Sequence, residues 1–286
     1  MNAQIIINSL AMGSIYAVVA LGFTLIWNAS GIVNFAQGEF VMVGAFLGLA
    51  ALDAGLPYAV AFAVAAIGGG LVGYVIERTA LRPLRGKSFW ATVIATLGIA
   101  LVLSNGARII WGPEPRAMPS PLSLRPVHFL GLDFIPHSLA IIVVVAVLVV
   151  LQDALIRRTP FGRAMRAVSW DGEIAGLVGV NVNRVISVTF ALSAALAAVA
   201  GMLLGPLFFV SPDMGMGVTL KAFAATILGG FGSQRGALVG GMIIAFSESL
   251  AGLYLSSDYR MAIVFGVVIL VLVIRPKGVW PTAESA

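Results

Sequence analysis

Cysteine is absent from this chain, and charged residues are scarce. The lack of cysteine excludes disulfide bonds, thiolate metal sites and cysteine nucleophiles. Only 10% of the 286 residues are Asp, Glu, Lys or Arg, whereas 60% are hydrophobic. Soluble domains carry about 25% charged residues, so this composition is that of a polytopic membrane protein.

Histidine is also scarce, which limits the chemistry available inside the membrane. The two histidines, His128 and His137, both lie in a proline-rich stretch, so no Ser–His pair or zinc cluster is available in an apolar segment. Residues 85–88 resemble the end of a phosphate-binding loop, but Leu81 stands where that motif requires its first glycine. We therefore expect no enzyme, no catalytic residue, no bound metal and no cofactor. The energy for any transport must come from a partner or from an ion gradient.

Nine apolar segments are candidates for membrane helices, which need about 20 residues to cross a bilayer. They are residues 5–27, 40–52, 57–76, 90–110, 138–155, 185–210, 218–228, 237–255 and 261–274. The segment 185–210 is expected to be the longest, and 218–228 is too short to cross alone. The sequence thus predicts an all-α fold: a polytopic transmembrane bundle of about eight to ten spans, forming one domain over residues 1–286.

The placement of basic residues predicts the orientation of the bundle. Twelve of the seventeen Lys and Arg residues fall in 78–87, 157–184, 229–236 and the C-terminal tail. Because basic loops stay on the cytoplasmic side, we expect these regions inside, the N-terminus outside and the C-terminus inside. Residues 112–137, which contain six prolines and cannot be helical throughout, then form an outer, periplasmic loop.

Two glycine-containing polar stretches interrupt the apolar pattern, at 31–48 and at 228–236. Interrupted hydrophobic segments in both halves of a chain indicate a transport pathway at the interface between the halves. The alternative is that both stretches are ordinary interfacial turns. The candidate pathway residues are Asn34, Gln37, Gly38, Glu39, Lys221, Gly229, Gly230, Gly232 and Glu248.

Three of these candidates, Glu39, Lys221 and Glu248, are charged and lie in or near apolar segments. A charge at the centre of a membrane helix costs roughly 2.5–3.5 kcal/mol on insertion scales, so these side chains should face a cavity or one another. A proton or sodium relay is one interpretation. A structural Lys–Glu pair or a cavity-lining role is the other, and the absence of a longer run of such residues favours it.

Residues 157–184 form a charged segment between two apolar ones and carry five of the basic residues. Thr159 before Pro160 predicts the start of a short helix, and Asp171 is a cap for a second one. Gly179 and Asn181 should end the second helix, and Asn183 should cap the next span. Phe161, Met165 and Val168 then form an apolar stripe, which could rest on the lipid surface as an anchor or support contact with a soluble partner.

This charged segment, together with three other stretches, resembles the permeases of ABC importers. Glu173, Ala175 and Gly179 resemble a degenerate form of the EAA loop, the segment that docks on the ATPase subunit, although Ile174 replaces its second residue. Residues 159–167 (Thr-x-x-Gly-Arg-Ala-x-Arg-Ala) resemble the permeases of branched-chain amino-acid (LIV-type) importers, as do 31–38, 221–223 and 228–232. The likeness runs over nearly the whole chain, with the motifs in the same order.

The resemblance implies a division of labour among several proteins. This chain would be the permease that moves leucine, isoleucine and valine across the inner membrane, with urea or short amides as alternative cargo. Its expected partners are a second similar permease, identical or not, two ATPase subunits and a periplasmic binding protein. The residues expected to couple to the ATPase are Thr159, Phe161, Gly162, Arg163, Met165, Arg166, Glu173, Ala175 and Gly179. An ion-coupled secondary transporter that uses Glu39, Lys221 and Glu248 is the rival interpretation.

Overall fold

A computed structural model describes residues 3–129, 132–254 and 260–280. Its helices are α1 (Ala3–Ser30), α2 (Glu39–Asp53), α3 (Tyr58–Ile76), α4 (Phe89–Trp111), α5 (Pro136–Arg158), α6 (Pro160–Trp170), α7 (Gly172–Leu177), α8 (Val182–Leu204), α9 (Met214–Gly229), α10 (Gln234–Tyr254) and α11 (Arg260–Ile274). A π-helical turn (Glu77–Leu81) and a 3-10 turn (Arg82–Leu84) follow α3 directly. Within the described residues the strands are β1 (Val127–Phe129) and β2 (Leu132–Phe134), which pair antiparallel with Val127 opposite Phe134. The predicted all-α class is confirmed.

Six helices of the described chain are long and apolar enough to cross a membrane: α1, α3 with its following turns, α4, α5, α8 and α10. The other three predicted segments form the shorter helices α2, α9 and α11, of 15 or 16 residues. Helices α3, α4 and α5 are apolar, and less than a third of the spanning part of each is buried. They therefore expose largely apolar surfaces. Such surfaces suit contact with lipid.

The expected length of the segment 185–210 is wrong. Helix α8 ends at Leu204, and α1, with 28 residues, is the longest helix among the described residues. Pro206 explains the early end, because a proline inside a helix lacks the N–H that the ladder needs and clashes with the carbonyl one turn earlier. The chain turns after Gly205, and Val210 then pairs with Arg116 through two backbone hydrogen bonds.

The described chain divides into two compact units. The first comprises the described parts of Met1–Thr24, Pro119–Val147 and Leu220–Ala286, and the second comprises Leu25–Met118 and Leu148–Thr219. The assignment of 1–286 to one domain stays a prediction.

In the second unit, α2, α3 and α8 pack against one another. Small residues allow this close approach: a Cβ added to Gly44 would overlap the Ala198 backbone, and one added to Gly201 would overlap the Val41 carbonyl. Close packing of small residues is the usual way for helices to associate in lipid. In the first unit, Gly241 of α10 lies against Ala17 of α1 in the same manner.

The described residues of the proline-rich stretch 112–137 are not helical until α5 begins at Pro136, as the prolines predict. Its first part belongs to the second unit, where Arg116 donates to the Asp53 carboxylate at 2.9 Å. Its later part contains the β1–β2 hairpin. His137 falls in the first turn of α5 and lies 3.1 Å from the Ser120 hydroxyl, measured from Nδ1.

Candidate functional site

The predicted coupling segment forms two short helices, α6 and α7, and its first residue is a helix cap. The Thr159 hydroxyl accepts a hydrogen bond from the Gly162 N–H at 3.1 Å and donates to the Leu155 carbonyl at 2.6 Å. Pro160 occupies the first helical position, where its missing N–H costs nothing. The helix start predicted from Thr159-Pro160 is confirmed.

The apolar stripe of α6 faces the interior of the protein. Met165 and Val168 are buried in a core that also contains Ile156 of α5 and Val185 of α8, and Phe161 packs against this core from its edge. The stripe is therefore covered by the chain's own helices, and it does not rest on lipid as an anchor. Burial of this stripe, at roughly 1.5–3 kcal/mol for each large apolar side chain, holds α6 to the bundle.

Gly162 allows α6 to lie against the end of α5. A Cβ at this position would overlap the carbonyl group of Ile156. The guanidinium of Arg166 donates to the same carbonyl. Arg163 and Arg166 are both exposed residues. Gly162 and Met165, two of the residues expected to couple to the ATPase, are buried within this chain and position α6.

Helix α7 begins and ends at predicted residues. The Asp171 carboxylate accepts hydrogen bonds from the N–H groups of Glu173 and Ile174, each at 2.9 Å, and so caps the helix. At the other end Gly179 has a φ of +89°, and the Val180 N–H donates to the Ala175 carbonyl at 3.0 Å. This is a glycine-terminated helix end of the common left-handed type.

The expected cap of α8 is wrong by two residues. Asn181 is the cap, because its side-chain oxygen accepts a hydrogen bond from the Arg184 N–H at 3.0 Å. Asn183 lies inside the first turn, and its side-chain oxygen accepts a hydrogen bond from Arg85 at 2.5 Å. The α7–α8 connection is only four residues long, so Asn181 follows the turn at Gly179 and already starts α8.

The outward surface of the α6–α7 pair is apolar. Leu177 and Trp170 are 88% and 84% exposed, and Ile174 and Val178 are exposed as well. Trp170 ends α6, whereas Ile174, Leu177 and Val178 lie on α7 or directly after it. The sequence shows these residues at i, i+4, i+7 and i+8, a spacing typical of an apolar helix surface. Arg163 and Glu173 are exposed on the same two helices, whereas Ala175 is buried.

The break between α1 and α2 contains three of the predicted pathway residues, and its polar groups bond within the second unit. The Gln37 amide donates to the Ser193 carbonyl at 3.3 Å and accepts from the Ser193 hydroxyl at 3.0 Å. The Asn34 side chain accepts from the Ala36 N–H at 3.2 Å, and the Gly38 N–H donates to the Thr219 hydroxyl at 3.0 Å. Asn34 and Gln37 are buried, so the break is a structured turn that is fixed to α8 and to the first turns of α9.

Glu39, the first residue of α2, is also buried. Its Oε2 atom has no hydrogen-bond partner within the described chain. Gly215 of α9 leaves room for this carboxylate, because a Cβ there would lie 2.6 Å from Oε2. Glu39 therefore occupies a closely packed site within the second unit.

Lys221 and Glu248 form an ion pair inside the first unit. The Lys221 Nζ lies 2.5 Å from Glu248 Oε1 and 3.0 Å from the Tyr16 hydroxyl, and that hydroxyl donates to Glu248 Oε2 at 2.7 Å. The two charged side chains are each about one-fifth exposed. This is the structural Lys–Glu pair that the sequence left open as an alternative. The sequence did not indicate Tyr16, which lies 232 positions from Glu248.

The second glycine-rich stretch connects α9 and α10. Gly230 and Gly232 have φ values of +105° and +87°, which only glycine adopts at low cost. Gly229 lies against the backbone of Gly236, and its carbonyl accepts a hydrogen bond from the Trp280 N–H at 2.9 Å. The predicted break in the helix is therefore present.

The structure keeps the coupling residues together but divides the predicted pathway residues between the two units. The coupling residues lie on α6 and α7 or at their ends, and Asn34, Gln37 and Gly38 lie in the α1–α2 break, with Glu39 at the start of α2. These two groups belong to the second unit, whereas Lys221, Glu248 and the glycines of the α9–α10 turn belong to the first.

Comparison with known proteins assigns the chain to a family. Residues 5–272 match the family described as branched-chain amino acid transport system / permease component. The chain is 37% identical to the high-affinity branched-chain amino acid transport system permease protein LivH of Escherichia coli (strain K12), over 96% of this chain and 94% of LivH. It is 35% identical to the corresponding protein BraD of Pseudomonas aeruginosa, over 96% and 94% of the two chains. A probable branched-chain amino acid transport permease protein LivH of Methanocaldococcus jannaschii is 31% identical, over 96% and 91%. No solved structure matches the chain. The chain therefore belongs to the family of branched-chain amino acid transport system permease components.

Proposed function

We propose that this chain is one permease subunit of an ATP-driven importer of branched-chain amino acids. Membership of the permease family, matched over residues 5–272 and supported by LivH and BraD over 96% of this chain, is the observation that carries the proposal. The relatives named for branched-chain amino acids support leucine, isoleucine and valine as the cargo. A second permease, two ATPase subunits and a binding protein complete the proposed importer, and the chain itself performs no catalysis.

We assign the outward surface of α6 and α7 to the contact with an ATPase subunit. Trp170, Ile174, Leu177 and Val178 supply exposed apolar area of the kind that is buried at the centre of protein interfaces. Arg163 and Glu173 flank it with charge. The buried residues Gly162, Met165 and Ala175 position the two helices, and Thr159 and Gly179 fix where those helices begin and end.

We assign the α1–α2 break to the wall or hinge of the translocation pathway. Non-helical backbone at membrane depth is tolerated only where protein or water satisfies its polar groups. The bonds from the Ala36 N–H to Asn34 and from the Gly38 N–H to Thr219 satisfy backbone groups of the break, and the bonds between Gln37 and Ser193 hold it to α8. Together they offer a small set of contacts that a conformational change can exchange. For the α9–α10 turn, Gly230 and Gly232 suggest a similar hinge.

We place the subunit in the inner membrane as a single permease domain with its N-terminus in the periplasm and its C-terminus in the cytoplasm. The distribution of Lys and Arg supports this orientation. With it, α6 and α7 face the cytoplasm, where an ATPase subunit would meet them, and residues 112–137 face the binding protein.

Replacement of a single exposed leucine tests the coupling assignment. Leu177→Asp puts a carboxylate into the proposed interface but leaves the core intact, because the side chain is 88% exposed. We expect the amount of ATPase subunit that co-purifies with the permease to fall roughly tenfold or more, as for the loss of a central interface residue. Leu122→Asp, an exposed leucine in the proline-rich loop, is the matched control and should retain the ATPase. Equal retention by both variants would contradict the assignment.

A further inference from the structure

A cavity of about 330 Å³ lies beside the turn between α3 and α4. Arg85 and Lys87 line one side, and Ile32 and Val33 of the α1–α2 break line another. Phe89 and Val93, from the first turns of α4, close a third side. The cavity thus combines a basic part with an apolar part, and none of the assignments made above uses it.

The basic part carries an excess of positive charge. Glu77 is fully buried and is bound by Arg85, with Arg82 Nε at 4.0 Å from its carboxylate. One carboxylate therefore faces two guanidinium groups, and Lys87 adds a third cation that no carboxylate of the described residues pairs with. The Nε atom of Arg85 is buried and has no hydrogen-bond partner in the described part of the chain. An anion in the cavity would offset this charge.

The beginning of α4 adds to the attraction for an anion. Ser88 caps this helix of 23 residues, and Phe89 and Thr92 of its first turn line the cavity. The N–H groups of a first helical turn carry partial positive charge and bind phosphates readily.

The apolar part continues out of the cavity along α4. Trp90 is 70% exposed at the start of the helix, and Ile94 and Leu101 are exposed beyond it on the same helix. An exposed tryptophan followed by exposed aliphatic side chains is typical of a helix surface that passes from the membrane interface into the lipid. A phospholipid has a phosphate followed by acyl chains, the same order as the basic and apolar parts of this surface. Free phosphate has no apolar group that could contact the apolar walls.

We propose that this cavity binds the phosphate of an anionic phospholipid headgroup, with the acyl chains lying along α4. Basic pockets between membrane helices on the cytoplasmic side are suited to such headgroups. One wall of the cavity belongs to the α1–α2 break, and Arg85 also holds Asn183 in the first turn of α8. The bound lipid therefore links the proposed pathway hinge to the helix that follows the coupling pair. This proposal does not depend on the identity of the cargo.

Lipid retention by the purified full-length chain tests the proposal. The chain in mild detergent is mixed with equal amounts of phosphatidylglycerol and phosphatidylcholine, and native mass spectrometry counts the lipids that remain bound. We expect a retained phosphatidylglycerol, and we expect Lys87→Ala to weaken its binding by about fivefold and Lys87→Glu by more, at about 1 kcal/mol for each charge near a lipid surface. Lys87 is exposed, so neither variant should disturb folding.

The control is Arg78→Ala, which removes one exposed cation from the same connection but outside the cavity, where Arg78 donates to the Tyr74 hydroxyl. This variant should retain phosphatidylglycerol as the unaltered chain does. Equal losses in Arg78→Ala and Lys87→Glu, or equal retention of both lipids, would overturn the proposal. Displacement of the lipid by millimolar inorganic phosphate would also overturn it, because a free phosphate would then be the ligand.

Discussion

At the scale of single residues, two of the three charges in or near the apolar segments form an ion pair. Lys221 and Glu248 lie 27 positions apart on α9 and α10, and Tyr16 of α1 bonds to both. All three side chains have a partner, so the cost of removing two charges from water is offset by their mutual attraction and by two hydrogen bonds. The geometry favours a structural role for the pair over an ion relay.

Breaking this pair on one side should destabilise the protein. Lys221→Met leaves the Glu248 carboxylate without a cation in a largely buried site, and we expect the free energy of unfolding to fall by about 3–5 kcal/mol. Lys221→Met combined with Glu248→Leu removes both charges and should regain most of the loss. Thermal unfolding in detergent measures both effects. A double variant as unstable as the single one would contradict the pairing, and loss of uptake by a stable double variant would favour the relay.

The sequence indicates that Lys221 and Glu248 need partners, but it does not indicate all the residues that they contact. The cost of a membrane charge predicts that Lys221 and Glu248 seek partners, but no local pattern places Tyr16 beside them. The same limit applies to Gln37 and Ser193, whose reciprocal hydrogen bonds join residues 156 positions apart. Contacts of this kind depend on how helices pack, and helix packing in lipid depends on small residues that give no signal about their partners.

At the scale of helices, the ends of α6 and α7 follow from local chemistry. Thr159, Asp171 and Gly179 each act within three or four residues of their own position, so the sequence alone predicts their roles. The inward direction of the α6 stripe was not predictable, because an apolar stripe has the same pattern whether it faces lipid, a partner or the chain's own core. The cap of α8 was misplaced because Asn181 and Asn183 are equally suited to the role.

Substitutions at two glycines, one on α6 and one on α7, distinguish residues that position these helices from residues that contact the ATPase. Gly162→Ala adds a methyl group against the Ile156 carbonyl, and we expect a displacement of α6 that costs about 1–3 kcal/mol and reduces co-purification of the ATPase. Gly176→Ala is the matched control, because its nearest neighbour would be the Val182 Cγ2 atom at 3.9 Å. That change should stabilise α7 by about 0.4–1 kcal/mol and leave the ATPase bound. Reduced ATPase binding by both variants alike would contradict the distinction.

At the scale of the whole molecule, the absence of cysteine makes the orientation easy to measure. Leu122→Cys and Leu177→Cys each introduce the only thiol of the chain at an exposed leucine. We expect a membrane-impermeant thiol reagent to label Leu122→Cys in intact cells from the outside, and to label Leu177→Cys only after the membrane is opened. Labelling in the reverse order would contradict the orientation drawn from the basic residues.

For the assembled importer, we propose that ATP hydrolysis by the partner subunits drives uptake through this permease. Leucine uptake can be measured in proteoliposomes that contain this chain with its second permease and two ATPase subunits, with the binding protein outside and ATP inside. We expect uptake to require the enclosed ATP and to persist when ionophores collapse the proton and sodium gradients. Uptake that proceeds without ATP and stops when those gradients collapse would contradict the proposal.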